Sequence, residues 1–366
     1  MPIDELLKKQ KLLVILGQGG VGKTTVSATL GIRAAKLGIR VAVITIDPAN
    51  RLADAFALDH PMHQQTPIIL PECGGSLHAM MLDRQQTCDA LVDQFSADAA
   101  SRDKIISNPY YRHFSTSLAG GQEYMAIESV CQQLASNAFD LIILDTPPSV
   151  HAFDFLDAPK RLINGLKRLP SIDRKKPQSF MRRIKEKSGA IVVDGLQRFT
   201  GGHFLTDLTE FLGLFRNVLA ALSRSSEHLD STLRCSSTAF IYVDIEDHAV
   251  SSRIQDCLFA LRKRKLVLNG VIFNRARPSV SEANFEAMRT HLNGAMSAHT
   301  DDPQVEELHQ AVCAAMRELA GSHRKQSLGT KRAQLNISAW SIPLKRDWRS
   351  NVATLSELSN DITDES

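Results

Sequence analysis

Short apolar runs alternate with segments of helical periodicity through the first half of the chain. Leu12 to Leu16 is followed by Lys23 to Leu37 and Val41 to Ile46, and later Leu141 to Leu144 leads into a helix-like stretch from His151. Continuous apolar runs bounded by turn formers predict strands buried on both faces, and their alternation with helices predicts βαβ units. Ala239 to Val243, Leu266 to Phe273 and a weaker run over Ile337 to Ile342 extend the set. The expected fold class is α/β, a mostly parallel, doubly wound sheet with helices on both faces.

The rhythm breaks twice. Gln85 to Ser136 reads as all-helical. Between Pro159 and Ser236 a basic segment precedes Phe204 to Leu222, where apolar residues at 204, 208, 211, 215, 218 and 222 mark one face of a helix. Helical elaborations over 85–136 and 160–235 are therefore expected beside a single domain spanning 1–366. The stripe has two readings, an ordinary core face or an exposed groove for an apolar client.

Composition narrows the class. With 43% hydrophobic and 23% charged residues among 366, the chain has the make-up of a folded globular protein. No apolar run exceeds six residues, whereas a membrane-spanning helix needs about 20. The first apolar run leads straight into glycines, unlike a secretory signal, so a cytoplasmic protein is expected. Six cysteines lie scattered, without Cys-x-x-Cys pairs or zinc-finger spacing, which favours buried free thiols. The net charge of +3 gives no reason to expect a nucleic-acid partner. Its distribution is uneven: Lys160 to Lys187 holds eleven Lys/Arg against Asp173 and Glu186. Segment 160–187 is either a solvated loop or a peripheral contact for anionic lipid.

The chemistry concentrates where the first run ends. Gly17-Gln18-Gly19-Gly20-Val21-Gly22-Lys23-Thr24 satisfies G-x-x-x-x-G-K-[ST] between a strand and a helix, the context a phosphate-binding loop requires. Its glycines let backbone N–H groups converge on phosphate oxygens, and the helix adds its positive end. Lys23 is placed to neutralise the β- and γ-phosphates, and the Thr24 hydroxyl to ligate magnesium. Asp145, delivered by the run Leu141 to Leu144, is the expected second magnesium ligand. Asp47-Pro48 ends the next strand, where a carboxylate can orient water or simply form a turn. No Asn-Lys-x-Asp guanine signature is present, so ATP is favoured over GTP. Asn274, at a late strand end, can face a base edge or close a turn.

Four segments together resemble the ATPase family of the arsenite-pump driving subunit and of the guided-entry factor for tail-anchored membrane proteins. They are Gly17 to Thr25, Asp47-Pro48-Ala49-Asn50 with Leu52 and Asp54-Ala55-Phe56, Asp145-Thr146-Pro147-Pro148-Ser149 with His151, and the strand end Gly270 to Asn274. The resemblance implies a deviant Walker A loop that includes Thr25, and a first switch in which Asp47 positions the attacking water. It also implies a second switch beginning at Asp145 and an adenine contact from Asn274. It implies a dimer that couples Mg-ATP hydrolysis to a hydrophobic client or a membrane protein.

Departures qualify those implications. Gln18 stands where the family usually carries a lysine that reaches the partner's phosphates, so either a homodimer or a heterodimer with a related ATPase subunit is expected. Val150 replaces a usual glycine of the second switch. Neither the zinc-clasp Cys-x-x-Cys nor three closely placed arsenite-binding cysteines can be found. Two other classes share the loop. A positioning or partitioning ATPase typically has a basic tail or DNA-binding surface, whereas Ser356 to Ser366 is acidic. A small-molecule kinase or synthetase would transfer phosphate or activate a carboxylate.

Overall fold

The computed structural model describes residues 1–46, 50–58, 65–71, 73–81, 84–117, 121–147, 157, 210–245, 250–276, 290, 337–345 and 349–365. In chain order the elements are α1 (Ile3–Lys9), β1 (Leu12–Leu16), α2 (Lys23–Lys36), β2 (Arg40–Thr45), α3 (Arg51–Phe56), β3 (Thr66–Ile68) and β4 (Ser76–Met81). Four helices follow, α4 (Arg84–Phe95), α5 (Ala99–Ile106), α6 (Pro109–Ser117) and α7 (Gly121–Ser136), then β5 (Leu141–Asp145). The remainder comprises α8 (Arg216–Leu233), β6 (Thr238–Ile245), α9 (Val250–Lys263), β7 (Leu268–Ala276), β8 (Ser338–Pro343), α10 (Val352–Asn360) and β9 (Thr363–Asp364).

The described strands form one nine-stranded sheet in the order β3-β4-β2-β5-β1-β6-β7-β8-β9. All pairs from β4 across to β8 are parallel, and β3 and β9 close the two edges antiparallel. β1 is central, flanked by β5 and β6, and every residue of β1 and β5 is buried. This burial on both faces is why those strands read as unbroken apolar runs.

Alternation along the strands divides the core. Leu13, Ile15, Val41, Val43, Leu141, Ile143, Ile241, Val243 and Trp340 pack on one face with residues of α1, α2, α3 and α10. Leu12, Val14, Leu16, Ile44, Ile142, Leu144, Tyr242 and Phe273 pack on the other with residues of α7, α8 and α9. Both chain ends close on α2. Arg33 pairs with Asp4 of α1 and donates to the Ser359 carbonyl at 2.8 Å, and Lys36 donates to Ser356 O, Ser359 Oγ and Asn360 Oδ1, each at 2.9 Å. These cations meet the carbonyl-rich end of α10, where positive charge is favourable.

The stretch Gln85 to Ser136 holds α4 to α7. A third core joins Cys88, Leu91, Val92, Ile105 and Tyr111 of α4 to α6 to Phe211, Phe215 and Val218. Phe211 and Phe215 stack with ring centres 5.2 Å apart. Of the two readings of the stripe over 204–222, this corrects the exposed-groove reading for Phe211, Phe215 and Val218: they are core, covered by the helices α4 to α6 far upstream in the chain. Phe204 and Leu208 lie outside the described residues, as do the basic segment 160–187 and the helix-like stretch from His151, apart from Asp157. Among the described residues no helix is long and apolar enough to cross a membrane.

The expectation of buried thiols also needs correction. Cys88, Cys131 and Cys257 are buried, but Cys73 is half-buried and Cys235 exposed, and Cys313 lies outside the described residues. Burial pushes the Cys131 and Cys257 thiols up to about 12, whereas hydrogen bonds from Ser237 and Ser236 lower that of Cys235. Because the thiolate is the reactive form, Cys235 should react with iodoacetamide first among the described thiols at near-neutral pH. Cys131 and Cys257 should react only after denaturation, which peptide mass spectrometry would read directly.

Candidate functional site

The loop between β1 and α2 depends on glycine at specific places. Gly17, Gly20 and Gly22 have φ of +154°, +82° and +88°, a region that disfavours side chains. A Cβ on Gly17 would sit 2.4 Å from the Val243 carbonyl oxygen, whereas Gly20 has open space around it. The backbone therefore packs tightly against β6 at one end and stays accessible in the middle, where Gln18, Gly19 and Gly20 are exposed.

Helix α2 begins at Lys23 without a side-chain cap on its first turn. Its leading N–H groups have no partner within the helix, the arrangement that suits an anion. Lys23 is buried, and its Nζ donates to the Gln18 carbonyl at 2.9 Å, drawing the ammonium across the loop. Thr24 and Thr25 follow on the first turn, both half-buried, and the Thr25 carbonyl accepts from Thr29 Oγ1 at 2.8 Å.

Register brings the acid to the same edge. Asp145 ends β5 opposite Ile15 of β1 and Thr45 of β2. Its Oδ2 accepts from Thr24 Oγ1 at 2.7 Å and from Thr45 Oγ1 at 3.2 Å, and the residue is 1% exposed. The next residue is anchored as well, since Thr146 Oγ1 donates to the Ile15 carbonyl at 2.6 Å. A hydroxyl and a carboxylate side by side form a hard-oxygen donor pair. That suits Mg²⁺, which commonly takes one or two protein oxygens with phosphates and waters completing its shell. The donor set fits the metal.

Asn274 reaches the loop from two strands away. It is 5% exposed at the end of β7, and its Nδ2 donates to the Val21 carbonyl at 2.8 Å. Asp47, with Pro48 and Ala49, lies outside the described residues, as do Pro148, Ser149 and Val150; Asn50 and α3 take up the chain after the first of these gaps.

Two polar features escaped the sequence pattern. Thr45 is a lone hydroxyl at the end of an apolar run, which is the signal that could have marked it. Asp244 ends the run Ala239 to Val243 just as Asp145 ends its own, yet its fate differs. It is fully buried, and Arg253 of α9 grips it through Nε and NH2 at 2.7 and 2.8 Å. A carboxylate neutralised by a bidentate guanidinium is a structural tie, whereas Asp145 accepts from the Thr24 and Thr45 hydroxyls at the edge of the glycine loop.

A family model described as anion-transporting ATPase matches residues 10–293. The chain belongs to that family. The match includes the loop, Asp145 and Asn274. Similar proteins include "ATPase get3" of Aspergillus terreus, 25% identical over 76% of this chain and 78% of the relative, and "ATPase ARSA2" of Chlamydomonas reinhardtii, 26% identical over 73% and 69%. "ATPase ASNA1 homolog" of Dictyostelium discoideum is 28% identical over 47% of this chain and 49% of its own length. The protein is therefore a nucleotide-binding ATPase on an α/β fold of the P-loop type.

Proposed function

We propose that this ATPase is a dimeric switch that hydrolyses Mg-ATP and couples the hydrolysis to binding or delivering a client or membrane partner. The observation that carries the proposal is the hydrogen bond from Thr24 to Asp145 at the mouth of the glycine loop. It joins the residue after the phosphate lysine to the acid on the neighbouring strand, giving the metal two adjacent oxygens beside the phosphates. Gly17 to Thr25 wrap the phosphates through backbone N–H groups, and Lys23 places a buried positive charge against the β- and γ-oxygens. Bound magnesium would neutralise charge on the same phosphate oxygens. Asp47 orients the attacking water, and Asn274 contacts adenine. The second switch, which begins at Asp145, has its second residue, Thr146, tied to β1.

Gln18 leaves the pairing open to a related subunit that supplies the missing cation, because a neutral amide cannot provide it. The basic segment 160–187 is the candidate contact with anionic lipid. The buried stripe residues 211, 215 and 218 do not contribute a client surface in the form described.

The test combines Asp47→Asn with product analysis. The variant should bind ATP nearly as well as the wild type while releasing inorganic phosphate about a hundredfold more slowly. Transfer of phosphate to a metabolite would replace this reading with a kinase. Full, concentration-dependent turnover by the purified chain alone would establish the homodimer over the heterodimer. A pull-down from the native cell with the stalled variant should then enrich the partner or client.

A further inference from the structure

Asn274 is doing something at the loop that base contact does not require. Its carboxamide is buried, and its Nδ2 donates to the Val21 carbonyl, 253 residues away in sequence. A carbonyl only accepts, so the amide nitrogen must face Val21 and Oδ1 must lie on the other side of the group. The next residue confirms how closely the two segments fit: a Cβ on Gly22 would lie 2.2 Å from Asn274 Nδ2. The carboxamide thus rests directly against the peptide joining Val21 to Gly22.

We propose that Asn274 is a positioning residue for the phosphate loop, setting the orientation of the Val21–Gly22 peptide and hence of the Gly22 N–H. The peptide is planar and trans, so its C=O and N–H point in opposite directions. Holding the Val21 carbonyl toward β7 turns the Gly22 N–H away from β7. Gly22 has φ +88° and immediately precedes α2, so it has the backbone freedom to lose that orientation when nothing holds it. Val243 supports the other end of the loop through its contact with Gly17. The loop is thereby braced at both ends by β6 and β7, strands that carry none of its own residues. This inference rests on the reading that the loop holds the phosphates, but it is independent of any contact between Asn274 and the base.

Inorganic tripolyphosphate separates the two roles, because it offers phosphates and no base. Calorimetry with magnesium present would compare ATP and tripolyphosphate on the wild type, Asn274→Ala and Asn269→Ala. Asn269 lies on the same strand, where its Oδ1 accepts from the Phe240 N–H at 2.9 Å, and it reports general damage to β7. Asn274→Ala should weaken tripolyphosphate about tenfold, since it leaves the Val21 carbonyl unpaired and the peptide free to turn. Asn269→Ala should leave both affinities near those of the wild type. If Asn274→Ala does not fold, Asn274→Asp keeps the shape while setting an acceptor against the Val21 carbonyl, and it should show the same loss. Tripolyphosphate binding at wild-type strength by either folded variant, with ATP alone weakened, would overturn the positioning role. Equal losses in Asn269→Ala would overturn it as well. Failure of the wild type to bind either ligand would overturn the phosphate-loop reading itself, and this proposal with it.

Discussion

Lys23→Ala is expected to reduce ATP hydrolysis by about a thousandfold or more, with the fold intact. The side chain is buried at the first position of α2, and its Nζ lies 2.9 Å from the Gln18 carbonyl, across the loop on which the phosphates should rest. In so enclosed a place an ammonium acts on phosphate charge far more strongly than it would in water. Alanine is the best helix former, so α2 itself has no reason to unwind. Saturating Mg-ATP should raise the melting temperature of the wild type by mass action and leave that of the variant nearly unmoved. Lys23→Arg should not rescue turnover, because a planar guanidinium cannot take the place of a compact ammonium folded back on its own loop. Phosphate release and thermal melting on the same preparations measure both halves of the prediction. Wild-type turnover in Lys23→Ala would remove the loop from the catalytic account.

The parts of the fold visible in the sequence are those whose neighbours impose a local pattern. β1, β2, β5 and β6 are covered on both faces along their centres, so Leu12–Leu16, Val41–Ile44, Leu141–Leu144 and Ala239–Val243 are unbroken apolar runs that announce themselves. The glycine loop was legible because its positive-φ positions and its Lys-Thr pair demand particular residues. β4 stayed hidden because half-buried Ser76 and His78 break up its apolar positions, as befits a strand near the sheet's edge. β3 and β9 are too short to show any period. Asp145 and Asp244 illustrate a different limit: each follows an apolar run, and only the fold reveals that Arg253 has taken the second one. The stripe at 211, 215 and 218 had the right period, but periodicity names a face without naming what covers it. Long-range ties such as Asn274 to Val21, or Arg33 to the end of α10, leave no local trace at all.

Gly270 belongs to the strand segment shared with the family, yet its requirement is one of packing. Ile272, two residues on, pairs in register with Trp340 of β8, and the fully buried indole extends back over Gly270. A Cβ there would lie 2.2 Å from the ring, far inside contact distance. Gly270→Val is therefore expected to destabilise the protein by about 3 kcal/mol, and Trp340→Ala by about 3–5 kcal/mol through the cavity it leaves. The two effects have opposite causes, overpacking and a void, so they should not add. Gly270→Val combined with Trp340→Leu should recover at least about 1 kcal/mol relative to the sum of the single changes, because total volume is nearly restored. Leucine also removes an indole N–H that has no hydrogen-bond partner among the described residues. Urea denaturation of the four proteins in the cycle measures the coupling. Strict additivity would mean that the ring and the glycine are not in contact, and would place the constraint on Gly270 elsewhere along β7, closer to Asn274.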